Sequence, residues 1–244
     1  MTIPTISKKD MRRVDELMVE KYKIGVIQMM EIAGFNVAEF ARRLLTPQAK
    51  KKLFGKSEKK GFSGKIVILA GKGNNGGDGI CAARYLRNWG ANVVLFVVNE
   101  ELKDEPLHHF NIVKQTGMNI INDIESLKKE IEDCDMIIDG LIGYNLRGNP
   151  EGDMGKAIQI ANDSQKDILA IDVPSGVDAD EGIHFEPAIH CKWTLCLSLP
   201  KQGWETGSYG ETYVADMGVV PEVYKELNIE VGKIFKDDII VRVE

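Results

Sequence analysis

The sequence lacks several features that would place it in a particular protein class. It has four cysteines but no Cys-x-x-Cys pair, and its four histidines follow no Ser/His/Asp or metal-ligand spacing. We therefore expect buried free thiols rather than disulfides or a zinc site. No apolar run approaches the roughly 20 residues of a membrane span, and the polar N-terminus lacks the apolar region of a signal peptide.

The chain also lacks an excess of basic residues. There are 31 Lys and Arg residues against 37 Asp and Glu, for a formal net charge of −6. Because phosphate binding needs a basic surface, nucleic acid is not expected as a partner. We expect a cytoplasmic protein without a nucleic-acid or membrane partner. Its 244 residues are enough for one large domain.

From residue 65 onward, short apolar runs alternate with segments of helical spacing. The runs are 66–70, 92–98, 118–121, 135–139, 167–172, 193–198 and 211–216, and the helical segments are 80–89, 105–115, 124–131 and 155–162. Two helices come first, one opening at Ser7 and one after Gly25 that turns Ile27 and Met30 inward. Short apolar strands separated by helices predict a mostly parallel central sheet covered on both faces, a three-layer α/β sandwich.

One domain, 1–244, accounts for this pattern. It consists of leading helices (1–45), a lysine-rich connector (46–64), the α/β core (65–221) and a C-terminal tail (222–244). The connector reads either as a solvated loop or as a docking patch for polyphosphate or an acidic partner.

The segment 71–79 follows the first strand and holds five glycines. They predict positive φ angles in a tight, anion-binding loop before a helix that starts at Ile80. The Gly-x-Gly-x-x-Gly match is weak, because the acid expected about 20 residues later comes late, at Glu100. No Gly-Lys-Ser/Thr marks a P-loop. The crowded Asn74, Asn75 and Asp78 suit sugar hydroxyls or a hard cation.

Two further polar segments follow apolar strands. Asp139 ends one strand, and Asp172 ends another just before Pro174 and Ser175. Because carboxyl ends of parallel strands meet at one edge, we expect these groups to face segment 71–79. Asp172 is the best general acid/base candidate, and Ser175, without a histidine, suits a ligand role. A structural role as cap or turn remains open for each Asp, as does a solvated Arg147.

Taken in order, these motifs resemble the NAD(P)H-hydrate epimerase family, also called the YjeF N-terminal domain family. The resemblance covers nearly the whole chain, at residues 11–15, 25, 29–34, 71–79, 83–86, 139–143, 172–178, 200–203 and 214–221. Its most specific parts are Asn-Asn-Gly-Gly-Asp-Gly at 74–79 and Asp-x-Pro-Ser-Gly-x-Asp at 172–178. It implies a Rossmann-like isomerase that epimerises hydrated NADH or NADPH at C6 of the nicotinamide ring, a cofactor-repair step.

The resemblance also implies site residues, a cofactor and partners. The substrate-binding residues would be Asn74, Asn75, Gly76, Gly77, Asp78, Gly143, Tyr144, Asn145, Leu146, Arg147, Gly148, Asn149 and Asp172. Asp172 would be catalytic, and Asn75, Asp139 and Ser175 would hold a potassium ion. A homodimer is implied. Because the chain ends soon after Pro221, we expect a separate NAD(P)HX dehydratase to complete the repair.

Several alternatives stay open. Three positions differ from the usual pattern of the family: it more often has proline or another small residue at Lys72, asparagine at Ile32 and threonine at Tyr144. These differences leave open whether NADHX or NADPHX is the preferred substrate. Inversion by loss of water and inversion by ring opening are both possible routes. The competing functions are a catalytically silent nucleotide-binding or scaffold module and a nicotinamide-dependent oxidoreductase.

Overall fold

The apolar runs pair into one central sheet. The computed structural model describes residues 3–46, 64–98, 101–207 and 209–243. Its elements are α1 (Lys8–Glu20), α2 (Val26–Leu45), β1 (Lys65–Ala70), α3 (Asn74–Asn88), β2 (Asn92–Val97), α4 (Asp104–Lys114), β3 (Asn119–Ile121), α5 (Ile124–Glu132), β4 (Met136–Gly140), α6 (Gly152–Asp163), β5 (Ile168–Ile171), β6 (Trp193–Leu197), β7 (Glu211–Ala215), α7 (Pro221–Glu226) and β8 (Ile240–Arg242). Residues 47–63 of the predicted connector, and Glu100, lie outside the described residues.

The sheet has the order β3-β2-β1-β4-β5-β6-β7-β8, and only the β7–β8 pair is antiparallel. Ile66 and Ile68 face a core shared with α2, α3 and α4, whereas Val67 and Leu69 face one shared with α5 and α6. This confirms the three-layer sandwich with its mostly parallel sheet and two leading helices. The direction of winding reverses between β1 and β4, which opens a crevice at their carboxyl ends.

The leading helices differ in what they contact. α1 begins after Ser7, the predicted opening residue, and Ser7 Oγ caps the helix by accepting a 3.0 Å hydrogen bond from the Asp10 N–H. Its buried stripe packs against Leu199 and Tyr224 beside the carboxyl edge of the sheet. In α2, the prediction that Ile27 faces inward is wrong: it is 38% exposed, because it borders a surface pocket next to α4 instead of the core.

The tail contributes an element that the sequence did not predict. Ile240–Arg242 form β8, which pairs antiparallel with β7 at the sheet edge. A strand of three residues carries too short an alternation to be recognised by pattern. Within the described ranges, none of the helices has both the length and the apolar character needed to cross a bilayer.

Candidate active site at the carboxyl edge

The glycine-rich segment after β1 is mostly helix. α3 begins at Asn74 rather than Ile80, and none of the glycines of segment 71–79, all of them described, has a positive φ, so both predictions are wrong. The glycines are needed instead for close backbone contacts. A Cβ on Gly71 would collide with the Leu141 carbonyl, and a Cβ on Gly76 would collide with the Gly71 backbone. Asp78, in the second turn of α3, is buried.

Asp139, at the end of β4, is completely buried and bound to the loop after β5. Its Oδ1 accepts hydrogen bonds from Ser175 Oγ (2.6 Å) and Leu141 N–H (3.2 Å), and its Oδ2 accepts one from Ser175 N–H (2.8 Å). Burial raises the pKa of Asp139 to about 6, although the hydrogen bonds from Ser175 and Leu141 oppose the rise.

Asn75 completes this oxygen-rich cluster. Its Nδ2 donates to the Ile142 carbonyl (3.3 Å), and the Ile142 N–H donates to Ser175 Oγ (2.8 Å). The structure therefore brings Asn75, Asp139 and Ser175, the three predicted potassium ligands, around one loop. Asn75 Oδ1 and the Asp139 carboxylate have no cationic partner among the described residues, and an all-oxygen donor set of this kind fits a hard cation.

Asp172 lies at the end of β5 with a φ of 63°, a strained conformation for a non-glycine residue. Its Oδ1 accepts hydrogen bonds from Lys201 Nζ (2.5 Å) and Leu197 N–H (3.0 Å). Both members of this ion pair are buried, and Oδ2 has no hydrogen-bond partner in the described part of the chain. Lys201 was not predicted as a site residue, although residues 200–203 were noted as a motif.

Two more carboxyl groups approach Asp172. Burial raises the pKa of Asp78 well above its ordinary value, and the charges of Asp172 and Asp15 add to the rise. Asp78 has no hydrogen-bond partner among the described residues. Asp15 accepts a 2.9 Å hydrogen bond from Tyr144 Oη, and burial raises its pKa. Asp15 was missed; the available signal was an acid within the buried stripe of α1.

In the predicted substrate loop, 143–149, the first residue contacts the site. Gly143 packs against Asn75, and Asn145 accepts a 2.6 Å hydrogen bond from Arg12 Nη2. Arg147 is exposed and has no ion-pair partner within the described ranges, and Asn149 accepts a hydrogen bond from the Glu186 N–H (3.2 Å). Leu146 and Gly148 lie between them. The substrate roles of these residues, and of Asn74, Gly76 and Gly77, stay predictions.

A large cavity lies beyond the ends of β6 and β7. It measures about 1,120 Å³, and its lining includes Ser198, Asp216 and Tyr224. Ser198 directly follows β6, and Lys201 is three positions further along the chain. The cavity is therefore at the same carboxyl edge of the sheet as the acidic groups.

Known proteins are similar to this chain in sequence and in fold. The family model described as YjeF-related protein N-terminus matches residues 26–203. The NAD(P)H-hydrate epimerase of Dehalogenimonas lykanthroporepellens is 32% identical over 93% of this chain and 87% of its own. The bifunctional NAD(P)H-hydrate repair enzyme Nnr of Moorella thermoacetica is 30% identical over 88% of this chain, which spans only 40% of that relative. The crystal structure of the yeast protein YNL200c superposes with a TM-score of 0.80 at 25% identity, over 98% of this chain and 100% of the yeast chain. The chain belongs to the family of YjeF-related protein N-termini.

Proposed function

We propose that the chain interconverts the R and S forms of hydrated NADH and NADPH at C6 of the nicotinamide ring. The observation that carries this proposal is the Asp78 carboxyl: it is only 7% exposed, yet no described residue hydrogen-bonds to it, and it shares the edge with Asp172. A buried polar group without a partner is costly unless a ligand satisfies it. The name NAD(P)H-hydrate epimerase, carried by several relatives, supplies the substrate class.

The two carboxyl groups divide the proton transfers. Asp78, whose raised pKa favours the protonated form, donates a proton to the C6 hydroxyl, which leaves as water. The resulting cation is stabilised by the adjacent ring nitrogen, and water added to the other face inverts the centre. Asp172 accepts the proton of that water through its free Oδ2, while Lys201 and the Leu197 N–H hold Oδ1 in place. Ring opening would use the same pair, because it also moves the hydroxyl proton.

Potassium is part of the proposal. Asn75, Asp139 and Ser175 would hold it, and it would offset the buried negative charge of Asp139 and bind a substrate oxygen. The support is the donor chemistry alone: an amide oxygen, a fully buried carboxylate and a hydroxyl oxygen gathered around the Ile142 backbone.

The remaining parts of the proposal concern substrate contacts and partners. Residues 74–78 and 143–149 would bind the substrate, and the protein would act as a homodimer in the cytoplasm. The relatives named bifunctional repair enzymes support a second activity in the same route, which we assign to a dehydratase. Sedimentation velocity of the purified chain would test the dimer.

The direct test is conversion of separated substrate. Purified protein is mixed with R-NADHX or S-NADHX, in potassium or in sodium, and the other epimer is followed by chromatography. We expect rapid interconversion that is faster in potassium. No conversion in either salt would instead favour a catalytically silent nucleotide-binding module. Repeating the reaction in ¹⁸O water separates the routes, since water loss places a solvent oxygen at C6 and ring opening retains the original one.

A further inference from the structure

Three potential metal ligands meet among the helices on one face of the sheet, away from the oxygen-rich cluster at Asp139. They are Glu31 from α2, Cys81 from α3 and His109 from α4. Cys81 Sγ lies 3.4 Å from Glu31 Oε2, and His109 Nδ1 lies 3.9 Å from the same oxygen. All three ligand atoms lie within 4.8 Å of one another. Because each comes from a different helix, no local spacing in the sequence signals the group.

His109 is the member that points to a missing ligand. Its side chain is 3% exposed, and neither Nδ1 nor Nε2 has a hydrogen-bond partner. A buried imidazole normally satisfies at least one nitrogen, because an unpaired buried polar atom costs roughly 1–3 kcal/mol. Nδ1 instead lies 3.9 Å from Glu31 Oε2, too far for a hydrogen bond, in a group that also contains the Cys81 thiol.

The position of Glu31 fits the same reading. Its Oε1 is bound by Arg84 and by Tyr85 Oη, the latter at 2.6 Å. These bonds leave Oε2 turned toward Cys81 and His109. Outer partners of this kind orient a ligating carboxylate, and Arg84 offsets part of the negative charge of the group.

The donor chemistry selects the ion. One thiolate, one imidazole and one carboxylate are the ligands of zinc and of similar thiophilic divalent ions. Tetrahedral zinc with its usual bond lengths separates its ligand atoms by about 3.3–3.6 Å. The observed 3.4 and 3.9 Å are close to these separations. The third pair, Cys81 Sγ and the His109 ring nitrogen, lies within 4.8 Å and would close on the ion when it binds.

We propose that Glu31, Cys81 and His109 bind one zinc-class divalent ion. Binding forms a metal–sulfur bond and releases the Cys81 thiol proton to solvent, with no change of oxidation state. A pocket of about 650 Å³ borders the group and is lined by Glu31, Arg84 and His109 among others, and a fourth ligand would enter from it. The ion ties α2 and α4 to α3, the helix whose first two turns carry Asn75 and Asp78. This site lies beyond the proposed epimerase function and does not depend on it.

Metal titration of the untagged, full chain tests the proposal. Isothermal titration with Zn²⁺ should give one saturable equivalent per chain, and Co²⁺ should give a sulfur-to-metal charge-transfer band. Cys81→Ser and His109→Ala should each weaken binding by more than the roughly 10- to 100-fold that loss of an outer partner costs. Tyr85→Phe, which removes such a partner, should fall within that range.

The controls are a buried cysteine and an exposed histidine from elsewhere in the chain. Cys134→Ser and His190→Ala should leave the affinity and the cobalt band unchanged. The proposal is overturned if the wild-type chain binds no stoichiometric Zn²⁺, or if its cobalt complex lacks the sulfur band. Since that spectrum needs no variant, misfolding of Cys81→Ser would not obscure the answer. Equal loss of binding in the ligand and control variants would also contradict it.

Discussion

Acidic residues at the two edges of the central sheet differ in burial and in their partners. At the amino edge, Asp135 is exposed and accepts a 2.7 Å hydrogen bond from the Lys65 N–H, and Asp167 forms a 2.7 Å ion pair with Lys192 near solvent. At the carboxyl edge, Asp139 and Asp172 end the same two strands but are buried. They are joined there by Asp78, which has no described hydrogen-bond partner. Asp135, Asp139, Asp167 and Asp172 thus place one acid at each end of β4 and of β5.

We interpret the difference as one between acids with a structural role at the amino edge and acids with a proposed catalytic or ligand-binding role at the carboxyl edge. An exposed acid in an ion pair changes the free energy of unfolding by little in either direction. A buried acid with few partners destabilises the fold, so its presence calls for a ligand or a reaction that uses it. The variants below compare matched residues from the two edges.

The largest contrast is expected at Asp78. Asp78→Asn removes the proposed acid and should slow NADHX interconversion by about 10²- to 10⁴-fold. It should also raise the free energy of unfolding near pH 8, because a buried carboxylate without a partner is removed. Asp135→Asn at the opposite edge should leave the rate unchanged and lose at most about 1.5 kcal/mol. Chromatographic rates and urea unfolding measure both; an Asp78→Asn rate close to wild type would remove Asp78 from the mechanism.

The ion pairs provide the next contrast. Lys201→Met leaves Asp172 buried without its cation and should cost about 3–5 kcal/mol of unfolding free energy. Lys192→Met breaks the half-exposed pair with Asp167 and should cost at most about 1 kcal/mol. Urea unfolding at neutral pH compares the two. Equal losses would show that burial does not distinguish the edges.

Potassium should stabilise the folded chain only by binding at the carboxyl edge of the sheet. At about 100 times its Kd, it should add about 2.7 kcal/mol to the free energy of unfolding, a rise of several degrees in Tm. Ser175→Ala should abolish the gain, whereas Ser164→Ala, at the end of α6, should keep it. Thermal melts in potassium and in sodium test this. A gain that persists in Ser175→Ala would place the ion elsewhere.

The smallest expected effect is the pH dependence set by Asp15. Burial raises its folded-state pKa above the ordinary 3.8, so the folded chain holds more protons than the unfolded chain between these values. The free energy of unfolding therefore falls as the pH rises through this window, and Asp15→Asn should remove that part of the fall. Tyr144→Phe should enlarge it, because the Tyr144 hydrogen bond lowers the pKa of Asp15. Urea unfolding across the pH range measures the slopes; identical slopes in all three proteins would contradict this assignment.

Most of the fold was predictable because its signals are local. Apolar runs such as 66–70 and the cap at Ser7 depend on neighbours in the sequence, and all seven predicted strands are present. The start of α3 was not predictable in this way. The glycines of segment 71–79 were predicted to have positive φ, whereas Gly71 is required by its close contact with Leu141, far along the chain, and Gly76 by its close contact with Gly71.

The candidate site was predictable in part for a related reason. Asp139, Asp172 and Ser175 each follow a strand, and topology alone brings strand ends together. Lys201 and Asp15 do not follow those strands directly. They are brought to the site by tertiary packing, which a local sequence pattern does not indicate. Likewise, the approach of Glu31, Cys81 and His109 arises from the packing of three helices.

The comparison of the two ends of β5 tests the central claim most directly. Asp167→Asn and Asp172→Asn make the same chemical change on either side of one strand. With the fold checked by circular dichroism, we predict that Asp172→Asn slows R-to-S interconversion of NADHX by about 10²- to 10⁴-fold and that Asp167→Asn stays close to wild type. A folded Asp172→Asn protein with a rate within a few fold of wild type would contradict the assignment of the carboxyl edge as the catalytic site.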